Sequence, residues 1–389
     1  MRDLVNLVVD LDGERFSPSS AFAARETLSQ AGFALEERRS ADDTTLAWID
    51  AAFGGWWSSE AYASQNLIAR RGGVPAGFAS FDPQGLDFAW LRGGRVEPGT
   101  GVFGPFGVAA EERGGVLGAA LLTLGLASLR ERGFARAVIP AVGDEALVRY
   151  YAEHAGARAG ATFSAAPFLE RRARAVLMAS GSGSNLQAVL DGCAAGALPL
   201  EVASVVCNNP RAYAIERARS AGVSRVHVMP WQRKAGETRD AYDARLLETV
   251  AGERPDIVLL LGWMHLLDAR FVDEMPALLN VHPAFLPLDP ERDDVGMPDG
   301  MVIPAFRGPY AVRDALAAGS RWAGASVHHV TAKTDRGGVL VRAPLAIEEG
   351  ESEEDVLTRL HPIEHALVAR AIWRWTFERP GRPETAAAS

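Results

Sequence analysis

The chain has 389 residues, 48% of them hydrophobic and 23% charged, a length that calls for two domains rather than one core. Its formal charge of −9 and pI near 5.5, with no concentrated basic stripe, argue against a nucleic-acid partner. Two cysteines, Cys193 and Cys207, build no disulfide framework and fit a cytoplasmic protein, and the first residues carry acids where a signal peptide or membrane span needs an apolar core. Arginine supplies nearly all the cations, with lysine only at Lys234 and Lys333, so arginine abundance alone does not signal phosphate binding.

The chain opens with a strand over residues 4–9 and helical spacing over 21–31, followed by a polar break at 36–43. Residues 67–70 and 76–81 alternate like paired strands around the turn at Arg71-Gly72-Gly73. Residues 102–108 read as a strand punctuated by Gly and Pro, as a bulged or splayed strand would be. Glu112-Arg113-Gly114-Gly115-Val116-Leu117-Gly118 then feeds a helix with apolar positions at 117, 120, 121, 124 and 128, ending near Gly133. A Gly-rich loop at a helix N-terminus aims backbone N–H groups outward and favours an anion such as a pyrophosphate. A strand from Ala137 and a helix over 145–154 complete this part.

This order resembles the GNAT acetyltransferase superfamily, whose acetyl-CoA loop reads Arg/Gln-x-x-Gly-x-Gly/Ala. Arg113 and Gly118 match its first and last positions, and Val116 stands in place of its middle glycine. The resemblance implies an α+β domain over residues 1–165 with an acetyl-CoA site at Arg113 and Gly118. Tyr150 and Tyr151 lie near the place of the family's general-acid tyrosine, one residue off its usual spacing. Residues 158–174 lose periodicity and read as a joint, with a linker at 166–174.

From residue 175 to about 378, strand and helix patterns alternate. Apolar strands at 175–179, 202–207, 226–228, 257–261 and 278–282 are separated by amphipathic helices, the first capped by Asn185. The pattern argues for a doubly wound, mostly parallel sheet with ligands beyond the C-terminal strand ends. Ser180 to Asn185, Gly262 to His265, and His282 all fall there. The first of these loops has Gly181 and Gly183 but Leu186 where a dinucleotide fingerprint needs its third glycine, so a phosphate monoester on a helix N-terminus is the better reading. Asn280 and His282 stand two apart at the end of a strand and so leave the sheet on one face. Asp335 precedes Gly337 and Gly338, a pair that can turn the chain and return the carboxylate. An amide, an imidazole and a carboxylate at one sheet edge suit acyl transfer: Asn donates to an oxyanion, His carries a proton, and Asp biases the His.

SGSGSNLQAVLD, CNNPRAYAIERARSAGV, TRDAYDARL, PDIVLLLGWMHLL, LNVHPAFLP, SVHHVTAKTDRGGVL and IEHAL follow one another as in glycinamide ribonucleotide formyltransferases, which this part of the chain resembles. The resemblance implies transfer of a formyl group from 10-formyltetrahydrofolate to the primary amine of a small acceptor. It makes Asn280, His282 and Asp335 the catalytic trio, in which protonated His282 and Asn280 donate to the oxyanion. It places Gly183, Ser184 and Asn185 in a phosphate-cradling loop. Trp263, Met264, His265, Leu266 and Leu267 match the segment lining the folate pocket, with Thr331, Ala332 and Lys333 in the loop over the pterin. Arg239 and Glu364 match acceptor-side positions. After Pro287 roughly a dozen extra residues intervene before Arg307-Gly308-Pro309-Tyr310, a segment that looks more like methionyl-tRNA and sugar N-formyltransferases. Arg307 therefore joins the substrate-binding expectation, and acceptor identity is where the chain departs from its family.

His361-Pro362-Ile363-Glu364-His365 formally reads H-x-x-E-H, but Pro362 disturbs the helix and no third ligand follows, so no metal is expected. A helix over 355–375 begins with a capping box at Ser352 to Asp355, and residues 379–389 read as a frayed tail. The expected partners are a small-molecule amine, no nucleic acid and no membrane, with a homodimer left open. The rival readings are the purine-pathway enzyme acting on glycinamide ribonucleotide, and a sensor with vestigial folate and CoA sites.

Overall fold

A computed structural model of the protein describes residues 3–54, 56–82 and 99–379. The chain separates into two compact units, the first built chiefly on residues 1–167 and the second on residues 168–297 and 302–376.

The first unit runs β1 (Leu4–Asp10), α1 (Pro18–Gln30), β2 (Ala34–Arg38), α2 (Asp43–Phe53), α3 (Trp57–Tyr62), β3 (Gln65–Arg71), β4 (Val74–Phe81), β5 (Thr100–Val108), α4 (Val116–Glu131), β6 (Arg136–Val142), α5 (Glu145–Ala155) and β7 (Arg158–Phe163). Its sheet has the order β2-β3-β4-β5-β6-β1-β7. Strand β5 stays paired with β4 as far as Val108 but bonds to β6 only over Thr100, Gly101 and Val102. The punctuated strand is therefore splayed, as its glycines and proline lead one to expect. Helix α4 buries Leu117, Leu121 and Leu124 in the core with Leu7, Val9 and Phe103, the face that its apolar spacing calls for.

Two stretches differ from the sequence reading. The polar break at 36–43 begins inside β2, an edge strand whose solvated faces leave no apolar alternation to read. The joint at 158–174 contains β7, the other edge of the same sheet, and α6 (Ala166–Glu170), a five-residue helix too short to show a period.

The second unit continues with β8 (Ala173–Ala179), α7 (Ser184–Ala194), β9 (Leu200–Cys207), α8 (Tyr213–Ser220), β10 (Val226–Val228), α9 (Arg239–Gly252), β11 (Ile257–Leu260), α10 (Ala269–Glu274), β12 (Leu278–His282), β13 (Asp294–Gly296), β14 (Val302–Pro304), α11 (Ala311–Ala317), β15 (Trp322–His329), β16 (Val339–Ala346) and α12 (Glu353–Glu378). The main sheet has the order β10-β9-β8-β11-β12-β15-β16. Its first five strands are parallel and the last two antiparallel. From β8 the chain winds outward first through β9 and β10 and then, on the other side, through β11 and β12. The loops after β8 and β11 therefore face each other at a switch point, where such sheets open a crevice.

Helix α12 opens with the expected capping box. Ser352 Oγ accepts from the Asp355 N–H at 3.2 Å, and the Asp355 carboxylate accepts from the Ser352 N–H at 2.9 Å. The helix begins two residues earlier than the spacing suggests and runs unbroken through Pro362. Of the expected tail at 379–389, residues 380–389 lie outside the described residues. Among the described residues no helix is long and apolar enough to cross a membrane.

Candidate active site

The end of β12 and the start of the loop after β15 bring the trio together. His282 Nδ1 lies 3.7 Å from Asp335 Oδ2, and Asn280 Nδ2 lies 3.5 Å from Asp335 Oδ1. Asp335 takes a left-handed backbone, φ 52°, which a non-glycine residue adopts only when its surroundings impose it. The following glycines act differently from the turn that the sequence suggests. A Cβ at Gly337 would run into the His329 carbonyl, so glycine is required there for close approach, while the unusual φ belongs to Asp335 itself.

A fourth side chain, missed in the sequence, completes the cluster. His328 is buried on β15 directly opposite Asn280 on β12. Its Nδ1–H donates to the His329 carbonyl at 2.7 Å, which leaves Nε2 to accept from Asn280 Nδ2 at 3.2 Å. The same Nε2 is 3.5 Å from Asp335 Oδ1. The signal was the His-His pair, but only strand register says which of the two turns inward.

Electrostatics follow from burial and these contacts. Burial pushes the Asp335 carboxyl up, but His328, His282 and the Gly308 N–H, which donates to Oδ2 at 2.8 Å, outweigh it and hold the group well below the usual carboxylate range. His282 is buried, and burial lowers its pKa against the opposing pull of Asp335 and of the Phe306 carbonyl. Its Nε2–H donates to that carbonyl at 2.8 Å. Burial therefore works against the protonated His282 that the resemblance implies, while Asp335, 3.7 Å from its Nδ1, favours it.

The loop after β8 is where the sequence leads one to expect a phosphate cradle. Gly183, not Asn185, caps α7, with φ 73° and no room for a Cβ against Ala214. Ser184 opens the helix and Asn185 lies inside its first turn, where its Nδ2 donates to Glu364 Oε2 at 2.9 Å. Burial raises the Glu364 carboxyl to about 7, against the Asn185 hydrogen bond. Asn185 Oδ1 is buried and makes no hydrogen bond within the protein. A helix start without a side-chain cap and an orphaned amide oxygen leave polar groups for a ligand at this point.

The segment expected at the folate pocket divides in two. Met264 and Leu266 are exposed, whereas Trp263 and Leu267 pack into or against the core with Tyr242 and Phe271. His265 sits edge-on to Trp263 and Tyr242. Trp263 Nε1 and His265 Nδ1 are buried without protein partners, so the segment has hydrogen-bonding groups to offer a polar heterocycle. Ser180 Oγ ties it to the cradle by accepting from the Met264 N–H at 2.9 Å. Thr331, Ala332 and Lys333 are exposed on the loop that leads to Asp335.

Two expected acceptor-side arginines are committed elsewhere. Arg239 pairs with Asp243 at 2.6 Å and donates to the Leu266 carbonyl, so it braces the 263–267 segment. Arg307 donates to the Asp335 carbonyl at 3.1 Å, to Asp293 at 3.1 Å and to the Arg292 carbonyl at 2.7 Å.

In the first unit, the Arg113 guanidinium bonds the Val108 carbonyl at 3.2 Å, and Val116 is exposed at the first position of α4. The Tyr150 hydroxyl is buried without a partner, and a Cβ placed on Gly118 would meet it at 2.9 Å. An uncapped helix start and an orphaned phenol thus leave polar groups for a ligand here.

Comparison with known proteins places these sites in families. The formyl transferase model matches residues 173–288 and 300–372, and the acetyltransferase (GNAT) family model matches residues 28–157. The phosphoribosylglycinamide formyltransferase of Escherichia coli (strain K12) is 35% identical over 193 residues, covering 49% of this chain and 82% of that protein. Its namesake from Mycobacterium tuberculosis (strain ATCC 25618 / H37Rv) is 34% identical over 202 residues, 51% of this chain and 83% of that protein. The structure of glycinamide ribonucleotide transformylase 1 from Symbiobacterium toebii aligns at 36% identity and a TM-score of 0.46, over 57% of this chain and 94% of that one.

Proposed function

Since the chain belongs to the formyl transferase family and carries a GNAT-family domain ahead of that part, we propose that it transfers the formyl group of 10-formyltetrahydrofolate to the primary amine of a small phosphorylated acceptor. The observation that carries this reading is the convergence of Asn280, His282 and Asp335 at the strand ends, beside a helix start built for an anion.

The chemistry follows from the side chains. As the neutral amine attacks the formyl carbon, negative charge grows on the formyl oxygen. Asn280 Nδ2 and His282 Nε2–H are the donors close at hand, held by His328 and by the Phe306 carbonyl until that oxygen competes for them. Removing one such donor typically costs about 10²–10³ in turnover. His282 Nδ1 takes the surplus proton of the amine, with the Asp335 carboxylate stabilising the imidazolium, and returns it to the folate nitrogen as the bond from that nitrogen to the formyl carbon breaks, so that tetrahydrofolate leaves neutral. The backbone N–H groups at Gly183, Ser184 and Asn185 hold the acceptor's phosphate, and the Asn185 amide, its Nδ2 taken by Glu364, turns its oxygen to a donor on the acceptor. The 263–267 segment and residues 331–333 enclose the folate. Acetyl-CoA would bind the first unit at the start of α4, its thioester supplying an acetyl group near Tyr150.

A second reading, phosphoribosylglycinamide as the acceptor, is favoured by the names of the relatives. The test is mass spectrometry of candidate amines incubated with 10-formyltetrahydrofolate, with and without acetyl-CoA. A mass gain of one formyl group on a phosphorylated amine is the expected result. No formylated product from any amine sinks the proposal. Rescue of a purine auxotroph selects the second reading.

A further inference from the structure

The two stretches that match the formyl transferase model leave out residues 289–299. Those residues lie outside both matched stretches, and they touch the loop that carries Asp335. We propose that segment 290–308 is a strap that positions Asp335, with Asp293 as its fastening residue.

The contacts run from both sides. Arg336, next in the chain to Asp335, donates to the Pro290 carbonyl at 3.0 Å and to Asp293 Oδ1. Arg307 reaches the same Asp293 oxygen at 3.1 Å while its Nε donates to the carbonyl of Asp335 itself. The Gly308 N–H takes one carboxylate oxygen of Asp335, and the Phe306 carbonyl takes the Nε2–H of its partner His282. Lys333 pairs with Glu291 at 3.1 Å, and the Ala305 N–H closes the strap on the Asp293 carbonyl at 2.9 Å.

Charge explains why Asp293 matters although its side chain is 78% exposed. A single exposed ion pair contributes little to stability. Here one carboxylate separates two guanidiniums, Arg307 and Arg336, whose side chains are only 14% and 24% exposed. Without it the two cations repel, and Arg307 loses the anchor that aims its Nε at the Asp335 backbone. That backbone is left-handed, a conformation aspartate reaches more readily than most residues but still at a cost, so the contacts that hold it decide where the carboxylate points. The effect therefore falls on where the carboxylate sits, not on whether the chain folds. Asp293 is a positioning residue, and the strap lets this chain alter its acceptor side without releasing the catalytic carboxylate.

The proposal rests on the formyl-transfer reading, so its experiment has one arm that needs no turnover. In the intact enzyme, Asp293→Ala should lower kcat roughly 10- to 100-fold with an unchanged thermal midpoint, and Asp293→Glu should restore most of the rate. In an Asp335→Asn background, Asp293→Ala should add no further loss. With histidines labelled at Cε1 and His282 assigned through His282→Asn, the His282 titration should move downward in Asp293→Ala. Asp335 is the side chain that raises it, while His328 and Arg307 face the same ring and lower it. An unchanged rate, an equal loss in the Asp335→Asn background, or an unmoved titration overturns the strap. If wild-type enzyme formylates nothing while the titration moves as expected, the function fails and the strap stands.

Discussion

In the second unit the side chains suited to chemistry hold one another, whereas in the first they hold backbone or stand alone. Asn280, His328, Asp335 and His282 form a chain of contacts between 3.2 and 3.7 Å. In the first unit Arg113 spends its Nε on a carbonyl and the Tyr150 hydroxyl has no partner, its ring centroid 4.4 Å from that of His154. A preorganised polar network does its work through fixed dipoles and charge, and it loses heavily when one member goes. A site built from an uncapped helix start draws on backbone N–H groups, and side-chain changes tune it only modestly. The two units should therefore respond to substitution on different scales.

The sharpest break is at Asp335. Replacing it with asparagine removes the charge that stabilises the His282 imidazolium, and single-turnover formyl transfer should slow by about 10²–10⁴. A loss under tenfold would make the second unit's network decorative.

Glu364 provides the next test, on stability rather than rate. Its ordinary value is 4.5 and burial raises it to about 7 in the folded chain. Between these pH values the folded chain keeps a proton that the unfolded chain has released. Stability should thus be highest from this group below pH 4.5 and fall as pH rises to about 7, by on the order of 3 kcal/mol. Glu364→Gln should flatten that slope in denaturation midpoints measured across the range. An identical slope in the variant would remove the link between burial and the carboxyl's proton.

The smallest effect belongs to the first unit. Val116→Gly restores the middle glycine of the acetyl-CoA pattern and lets an anion approach the α4 backbone. The gain in acetyl-CoA binding by calorimetry should be about 0.3–1 kcal/mol, under tenfold. A larger gain would mean that Val116 blocks the site outright, and no binding in either form would leave the GNAT-like fold without its ligand.

Much of the fold was legible because its signals are local. The apolar runs at 175–179 and 257–261, the capping box at Ser352 and the hairpin turn at Gly72-Gly73 all sit in short windows. Among the elements that escaped, β2 and β7 are edge strands and α6 is a single short helix, whose burial is set by neighbours far along the chain. The site divides in the same way. The Asn280-x-His282 spacing announces two side chains on one face, but His328 joins them only because β15 pairs antiparallel with β12 in the register Asn280 to His328. Likewise the resemblance put Arg239 and Arg307 on the acceptor side, while their hydrogen bonds commit them to Leu266 and to Asp293.

By itself the sequence determined the two kinds of unit, the strand ends where polar side chains gather and the amide, imidazole and carboxylate that meet there. These depend on periods of two and 3.6 residues and on turn chemistry, which act between near neighbours. Only the tertiary structure decided that burial opposes a charge on His282, that His328 lies within hydrogen-bond reach of Asn280, and that Asp335 is held in a left-handed backbone within reach of residues 290–308. Burial, strand register and the meeting of Arg307 and Arg336 on Asp293 are products of long-range packing, and no local pattern encodes them.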